Sequence, residues 1–247
     1  MPNTEEIKVL KKKSIWPVVI TLVILCGVGF FVWRVVDYME LIRSGEIIDL
    51  QTSQKREMSI SKLASAVTAP SLENFEFILD NEPSLGNENA PLIVVLFGDF
   101  ECQYSRQASF AMRALAYQYS DRVRFIYKDF PLTDVHPNAE LAAEAAACAD
   151  DQGRFWDMHD RLYQNQVDLS YDALVEHART INLEMGRFIA CLDSNLHKEE
   201  IAADYEEGLL AGVYGTPTFF LNGQIISGVI PTDILTGLVE KMTPVTQ

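Results

Sequence analysis

Residues 92–119 read LIVVLFGDFECQYSRQASFAMRALAYQY, a short apolar run followed by a longer mixture of polar and apolar residues. The run at 92–97 has the composition of a strand buried on both faces, and the residues after Cys102 are typical of a helix. A cysteine at such a junction indicates redox chemistry, because Cys-x-x-Cys in this position is a redox signature. Ser105 takes the place of the second cysteine, so the motif contains one thiol.

The flanking sequence predicts further strands and helices. It includes ENFEFILD at 73–80, VRFIYKDF at 123–130, an alanine-rich and then aromatic run at 139–166, TFFL at 218–221, QIIS at 224–227 and TDILTGLVEKM at 232–242. Two strands joined by the helix after Cys102 make a βαβ unit with parallel strands. The Asn-Gly pair between TFFL and QIIS predicts a hairpin. The resulting order is β, βαβ, a helical block, a β-hairpin and α, with a turn-rich segment at 81–91.

Length and composition predict one globular domain with appendages. The chain has 247 residues, of which 48% are hydrophobic. Acidic residues outnumber basic ones by 35 to 20, giving a net charge of -15. The chain has no excess of basic residues to neutralise phosphates, so nucleic acid is not expected as a partner.

The N-terminal region has the composition of a membrane span. Residues 15–33 contain no charge and as a helix would measure about 28 Å, close to a bilayer's hydrocarbon core. Lysines precede this run, which predicts a cytoplasmic N-terminus and a domain on the periplasmic or extracellular side. An uncleaved signal anchor is the preferred interpretation and a cleaved signal peptide the alternative. The predicted parts are a tail at 1–14, a transmembrane anchor at 15–37, a juxtamembrane spacer at 38–70 and a domain at 71–247.

Export would place three of the four cysteines in an oxidising compartment. Cys26 lies within the predicted span and is interpreted as an apolar packing residue. Of Cys102, Cys148 and Cys191, two are expected to pair, which leaves the third as a free thiol or an intermolecular partner. The spacing alone does not select the pair.

Five motifs between about residues 71 and 244 resemble the DsbA-like branch of the thioredoxin superfamily. They are DFEC at 99–102, KDFPL at 128–132, HPNAELAAEAAACA at 136–149, FWDMHDRLY at 155–163 and GTPTFFLNG at 215–223. The resemblance implies an α/β thioredoxin fold with an α-helical domain inserted at about 132–208, here preceded by the predicted transmembrane helix. Neither a cofactor nor a metal is expected.

The resemblance also implies the roles of the residues around the cysteine. Cys102 would be the attacking thiol, and Pro217, after Thr216, would be a cis-proline facing it. Gln103 and Tyr104 would line the substrate groove. A helix N-terminus favours a thiolate through its free N–H groups and partial positive charge. Ser105 cannot resolve a mixed disulfide, because a hydroxyl forms no disulfide bond.

Two further positions depart from the family pattern. Leu96 stands where the family usually has a buried acidic residue, and Gln103 stands where it often has proline. A buried carboxylate at position 96 would be costly without a resolving thiol nearby. The absence of the acidic residue therefore agrees with the absence of the second cysteine at position 105.

The resemblance implies a structural disulfide between Cys148 and Cys191, and two free buried thiols are the alternative. His136 could lie near the site, although a loop or capping role is the simpler interpretation. His177 and His197 are predicted to lie on helix surfaces, and none of the histidines has metal-ligand spacing.

The preferred hypothesis is a membrane-tethered, exported thiol-disulfide exchange protein with one active cysteine. It would isomerise or reduce disulfides of cysteine-containing exported proteins, or hold such clients as mixed disulfides. A low-molecular-weight thiol or a redox partner protein would then release the client. The alternative is a redox-inert binding or chaperone module with the same fold, and the reactivity of Cys102 distinguishes the two.

Overall fold

The computed structural model describes residues 26–36, 55, 58, 60, 61 and 82–243. The chain divides into two compact units, Met1–Glu57 and Met58–Gln247. Within the described part of the first unit, residues 26–36 are helical. The second unit contains all the strands and helices labelled below.

A five-stranded sheet forms the centre of the second unit. Its strands are β1 (Ser84–Gly86), β2 (Leu92–Gly98), β3 (Val123–Asp129), β4 (Thr218–Leu221) and β5 (Gln224–Ser227), in the spatial order β1-β3-β2-β4-β5. β2 and β3 are parallel and are joined by helix α1 (Gln103–Gln118). β4 and β5 form an antiparallel hairpin around Asn222 and Gly223. The predicted βαβ unit and hairpin are both confirmed.

Five helices lie between β3 and β4 along the chain, and a sixth follows β5. They are α2 (Ala139–Asp150), α3 (Phe155–Gln164), α4 (Tyr171–Thr180), α5 (Met185–Ser194), α6 (Lys198–Leu210) and α7 (Thr232–Met242). Helices α2 to α6 form the inserted helical domain, so the predicted fold class is confirmed for the described residues.

Strand β2 is buried on both faces, which explains its continuous apolar sequence. Leu92, Val94 and Leu96 pack into the larger core, which extends into the helical insertion. Val95 and Phe97 point to the opposite face and join a smaller apolar cluster. Alternate residues of a strand face opposite sides of a sheet, so an apolar residue is needed at almost every position.

Strand β1 forms where the sequence predicted only turns. Ser84 to Gly86 pair antiparallel with β3, at its edge. Gly86 has a φ of +89°, and a Cβ there would collide with the carbonyl oxygen of Val123. Glycine is therefore required by both backbone conformation and close approach. The strand predicted at 73–80 lies outside the described residues.

The predicted membrane location is wrong. Among the described residues, no helix is both long enough and apolar enough to cross a membrane. The rest of the stretch 15–37 lies outside the described residues. The expected cytoplasmic N-terminus and periplasmic or extracellular domain depended on that span.

The second compact unit includes residues well before the sheet. Ile60 is 6% exposed, and its side chain covers Gly237 on helix α7. Nearby, Lys241 Nζ donates a hydrogen bond to Ser61 Oγ over 2.8 Å. These contacts attach residues 60 and 61, which fall in the predicted spacer, to the last helix of the domain.

Candidate active site

Cys102 lies at the start of helix α1, where strand β2 leads into the helix. It is the N-cap residue, and its backbone is extended, with φ −76° and ψ 120°. Its side chain is 5% exposed, and Sγ donates a hydrogen bond over 3.4 Å to the carbonyl oxygen of Thr216. The first turn of α1 contains no acidic residue. The N–H groups of that turn therefore place partial positive charge beside the Cys102 sulfur.

The loop before β4 faces Cys102. The Thr216–Pro217 peptide bond is cis. Thr218 Oγ1 donates to the carbonyl oxygen of Gly215 over 2.7 Å, and Gly228 N donates to that of Pro217 over 2.8 Å. The antiparallel pairing of β4 with β2 brings this loop beside the start of α1. Thr216 Oγ1 is buried and has no hydrogen-bond partner within the described part of the chain.

Ser105 has a structural contact in place of the second thiol. It is fully buried one helical turn after Cys102, and its Oγ accepts a hydrogen bond from Asp99 N over 3.3 Å. Leu96, at the position that is usually acidic in the family, is also fully buried and pairs with Phe219 across the sheet. Of these two positions that differ from the family pattern, Leu96 is therefore apolar and Ser105 is hydrogen-bonded.

Gln103 and Tyr104 follow Cys102 on the exposed side of the helix start. The side chain of Tyr104 is 56% exposed. Both side chains are therefore accessible to a protein that approaches the Cys102 sulfur.

Asp99 connects the cysteine loop to the loop after β3. Its carboxylate is buried and accepts hydrogen bonds from Glu101 N and Leu132 N, each over 2.8 Å. His136 Nδ1 lies 2.8 Å from Asp99 Oδ2 and makes a third contact. The sequence analysis did not identify Asp99, although its place directly after a buried strand and three residues before Cys102 was a usable signal.

Two further side chains connect the cysteine loop to the helical insertion. Glu101 accepts hydrogen bonds from Asn138 N over 2.7 Å and from Asn138 Nδ2 over 3.2 Å. Gln166 Nε2 donates to the carbonyl oxygens of Phe100 and Cys102, over 2.7 and 3.0 Å. No sequence pattern pointed to Gln166, because its role depends on contacts across more than 60 residues of chain.

Aromatic side chains pack against the loop that joins β2 to Cys102. Phe100 stacks on Tyr127 with ring centroids 5.2 Å apart, and the hydroxyls of Tyr127 and Tyr163 are 2.8 Å apart. A Cβ at Gly98 would lie 2.6 Å from the Tyr127 hydroxyl oxygen. Glycine at position 98 therefore lets the tyrosine pack directly under the end of β2.

A buried cluster of charged groups lies at the end of β3. Lys128 Nζ contacts Glu82 at 2.5 Å, Asp204 at 2.7 Å and Glu207 at 2.7 Å. Burial opposes the charge on Lys128, but these carboxylates outweigh it and raise the pKa of the lysine. Burial and the nearby charge of Asp204 raise the pKa of Glu82 to about 8, against the pull of Lys128. The sequence analysis did not identify this cluster.

Cys148 and Cys191 are joined by a disulfide between α2 and α5, with Cα atoms 5.8 Å apart. Among the described residues, Cys26 and Cys102 are the free cysteines. His177 on α4 is 8% exposed, so its predicted place on a helix surface is wrong. Burial lowers the pKa of His177, and neighbouring Arg161 lowers it further.

Comparison with known proteins agrees with this geometry. The profile of a thioredoxin family matches residues 79–241. An Na(+)/H(+) antiporter, NhaA 1 of Salinispora arenicola, is 41% identical over 162 residues, which cover 66% of this chain and 25% of the antiporter. The chain spans about a quarter of the length of the curated relatives it matches. The antiporter similarity therefore concerns the thioredoxin-like part alone.

Solved structures show the same architecture. A thioredoxin-like oxidoreductase from Silicibacter pomeroyi is 25% identical, with a TM-score of 0.59, covering 66% of this chain and 92% of the other. The thiol-disulfide exchange protein alpha-DsbA2 from Wolbachia pipientis is 19% identical, with a TM-score of 0.59 and coverage of 78% and 98%. The second likeness concerns the fold alone.

The family match covers most of the chain, and it includes the start of α1, the helical insertion and the loop before β4. The solved structures share the overall fold, each with a TM-score of 0.59. The chain therefore belongs to the thioredoxin family.

Proposed function

We propose that the protein is a thiol-disulfide exchange protein that acts through the single thiol of Cys102. The observation that carries this proposal is the place of Cys102 at the start of α1, with Sγ against the Thr216 carbonyl oxygen. Ser105 occupies the position of a resolving cysteine, and Cys148 and Cys191 are bonded to each other. The reaction therefore uses one sulfur of this domain.

The Cys102 thiolate attacks a disulfide of a client protein. A bond forms between Cys102 Sγ and one client sulfur, and the other client sulfur leaves as a thiolate and takes up a proton. A second thiol, from the client or from a small thiol compound, then attacks the mixed disulfide and releases Cys102 as a thiolate. If the releasing thiol belongs to the client, the client disulfides are isomerised. If it is external and further thiol completes the reduction, the client is reduced and a disulfide of the external thiol forms.

The surroundings of Cys102 suit this exchange. The buried Asp99 carboxylate and Gln166 fix the loop, so the sulfur keeps its place at the helix start. The clients we propose are proteins with accessible disulfides.

Trapping of mixed disulfides tests this function. Client proteins with accessible disulfides are incubated with the reduced full chain, quenched with acid and separated without reductant. We expect high-mass adducts that collapse on reduction, are absent for Cys102→Ala and persist for the matched control Cys26→Ala. Added glutathione should release the adducts and support isomerisation of a client with scrambled disulfides. Absence of adducts from the parent chain would refute the single-thiol mechanism.

A redox-inert binding module is the second candidate. It is favoured by the 5% exposure of Cys102 and by the apolar Leu96 beside the site. This candidate predicts that the chain binds extended, cysteine-free peptides with an affinity that does not change in Cys102→Ala. A requirement for a cysteine in the peptide would contradict it.

A further inference from the structure

A second group of reactive side chains lies in the helical insertion, where three helices meet. Cys148 is near the end of α2, Cys191 is in α5, and His197 is the N-cap residue of α6. Asp151 is the C-cap residue of α2. The thiol-disulfide exchange proposed for Cys102 uses none of these residues.

The potential ligand atoms of these residues converge. One atom each from Cys148, Cys191 and His197 lies within 4.8 Å of the others. Asp151 Oδ2 is 3.1 Å from His197 Nε2 and 3.9 Å from Cys191 Sγ. Two sulfurs and one imidazole nitrogen therefore form one cluster, and one carboxylate oxygen lies beside its His197 and Cys191 members.

This ligand set matches the chemistry of zinc. Zn²⁺ prefers four tetrahedral ligands drawn from cysteine, histidine and carboxylate side chains, with Zn–S bonds of about 2.3 Å. Two thiolates on one zinc ion would be about 3.8 Å apart, whereas any disulfide bond holds its two sulfurs about 2 Å apart. The bond between Cys148 and Cys191 therefore prevents binding, and its reduction would let the sulfurs separate around an ion.

We propose that reduction of the Cys148–Cys191 disulfide creates a Zn²⁺ site formed by Cys148, Cys191, His197 and Asp151. A dithiol reductant breaks the S–S bond, becomes a disulfide itself and leaves two protein thiols. Zn²⁺ then displaces the two thiol protons, and an imidazolium would also give up its Nε2 proton. The disulfide would link α2 and α5 in the oxidised chain, and the zinc ion would link them in the reduced chain.

Neighbouring groups orient and neutralise the site. His197 Nδ1 lies 2.8 Å from Glu200 Oε2, which leaves Nε2 directed towards Asp151. A carboxylate bonded to the far nitrogen of a histidine is the usual outer partner of a zinc ligand. Glu144 accepts a hydrogen bond from His197 N over 2.8 Å, and its carboxylate lies 4.0 Å from Cys148 Sγ. These carboxylates place negative charge close to a bound cation.

An open cavity leads to the site. Its volume is about 400 Å³, and its lining includes both cysteines, Asp151, Gln152 and Ser194. A hydrated ion or a small dithiol fits in this volume, which Arg187 also lines. Cys191, at 7% exposure, is the more accessible of the two cysteines.

Cobalt titration tests the proposal, because a Co²⁺–thiolate bond has a charge-transfer band and a tetrahedral Co²⁺ site has strong visible bands. The full chain with Cys26→Ser and Cys102→Ser is reduced with a phosphine, freed of reductant without oxygen and titrated with Co²⁺. We expect saturation at one ion per chain and displacement by Zn²⁺. The oxidised chain should give no thiolate band.

Matched variants identify the ligands in the same background. His197→Ala should abolish the tetrahedral pattern, whereas His136→Ala, which changes a histidine of the Cys102 site, should titrate like the background. Glu200→Gln should weaken Co²⁺ binding by about 10- to 100-fold, as expected for loss of an outer partner.

Three results would overturn the proposal. The first is a reduced chain that is folded by circular dichroism and shows no thiolate band. The second is an unchanged titration in His197→Ala, and the third is a reduced chain that stays unfolded both with and without metal.

Discussion

Removal of the disulfide between α2 and α5 should strongly destabilise the domain. The change is Cys148→Ala combined with Cys191→Ala, which opens a loop with a sequence separation of 43 residues. In the chain-entropy treatment, a cross-link of this span lowers the entropy of the unfolded chain by about 13 cal/mol/K. At 25 °C the free energy of unfolding should therefore fall by about 4 kcal/mol.

Urea unfolding of the parent and double-variant chains measures this loss without reductant. The midpoint should fall, and the dependence of unfolding free energy on urea should increase, because an unfolded chain without the cross-link exposes more surface. Cys102→Ala is the matched control, since it removes a buried cysteine that closes no loop. Its cost should be about 1 kcal/mol.

A loss below about 1 kcal/mol in the double variant would refute this reasoning. It would mean that the unfolded chain keeps α2 and α5 close together even without the bond. An equally large loss in Cys102→Ala would assign the effect to packing of the sulfur atoms instead of loop closure.

Burial and Asp204 raise the pKa of Glu82 from 4.5 to about 8, so the folded chain keeps a proton that the unfolded chain releases. The stability that this group contributes is fully present below pH 4.5 and is lost as pH rises through about 8. In urea unfolding, the free energy of unfolding of Glu82→Gln should therefore decline less over this pH range than that of the parent chain. Ser105→Cys should create a dithiol site in which the new thiol oxidises to a disulfide with Cys102, and thiol counting would detect this disulfide. The variant should have weak oxidase activity, and adding Leu96→Glu should increase that activity. Ser105→Cys should cost about 1 kcal/mol in urea unfolding, because a thiol is a poor acceptor for Asp99 N; no oxidase activity even in the combined variant would contradict the proposed role of these positions.

Local patterns were sufficient to predict most of the sheet and helices. The run at 92–97 is apolar at every position because both faces of β2 are buried. The Asn222–Gly223 pair predicted its hairpin because both residues have positive φ. Strand β1 could not be predicted in this way, since three residues ending in Gly86 carry no periodicity. It forms because β3 offers a free edge.

The candidate site was predictable only near its cysteine. Cys102 and the loop at 216–217 belong to recognisable local motifs, and a place near the site was one of the two interpretations of His136. The contacts of Asp99 and Gln166, in contrast, join distant parts of the chain. The same reason explains why His197 was assigned to a helix surface and was not linked to Cys148. Its distance from the sulfurs depends on how α2, α5 and α6 pack, which sequence spacing does not contain.

The contact between Ile60 and Gly237 has a consequence for truncated forms of the protein. The segment shared with the family begins at residue 79, so a fragment cut there would lose the Ile60 side chain. Burying an isoleucine contributes about 2 kcal/mol, and its loss would expose the surface of α7 around Gly237 to water. A fragment that starts upstream of residue 60 should therefore melt at a higher temperature than one that starts at residue 79.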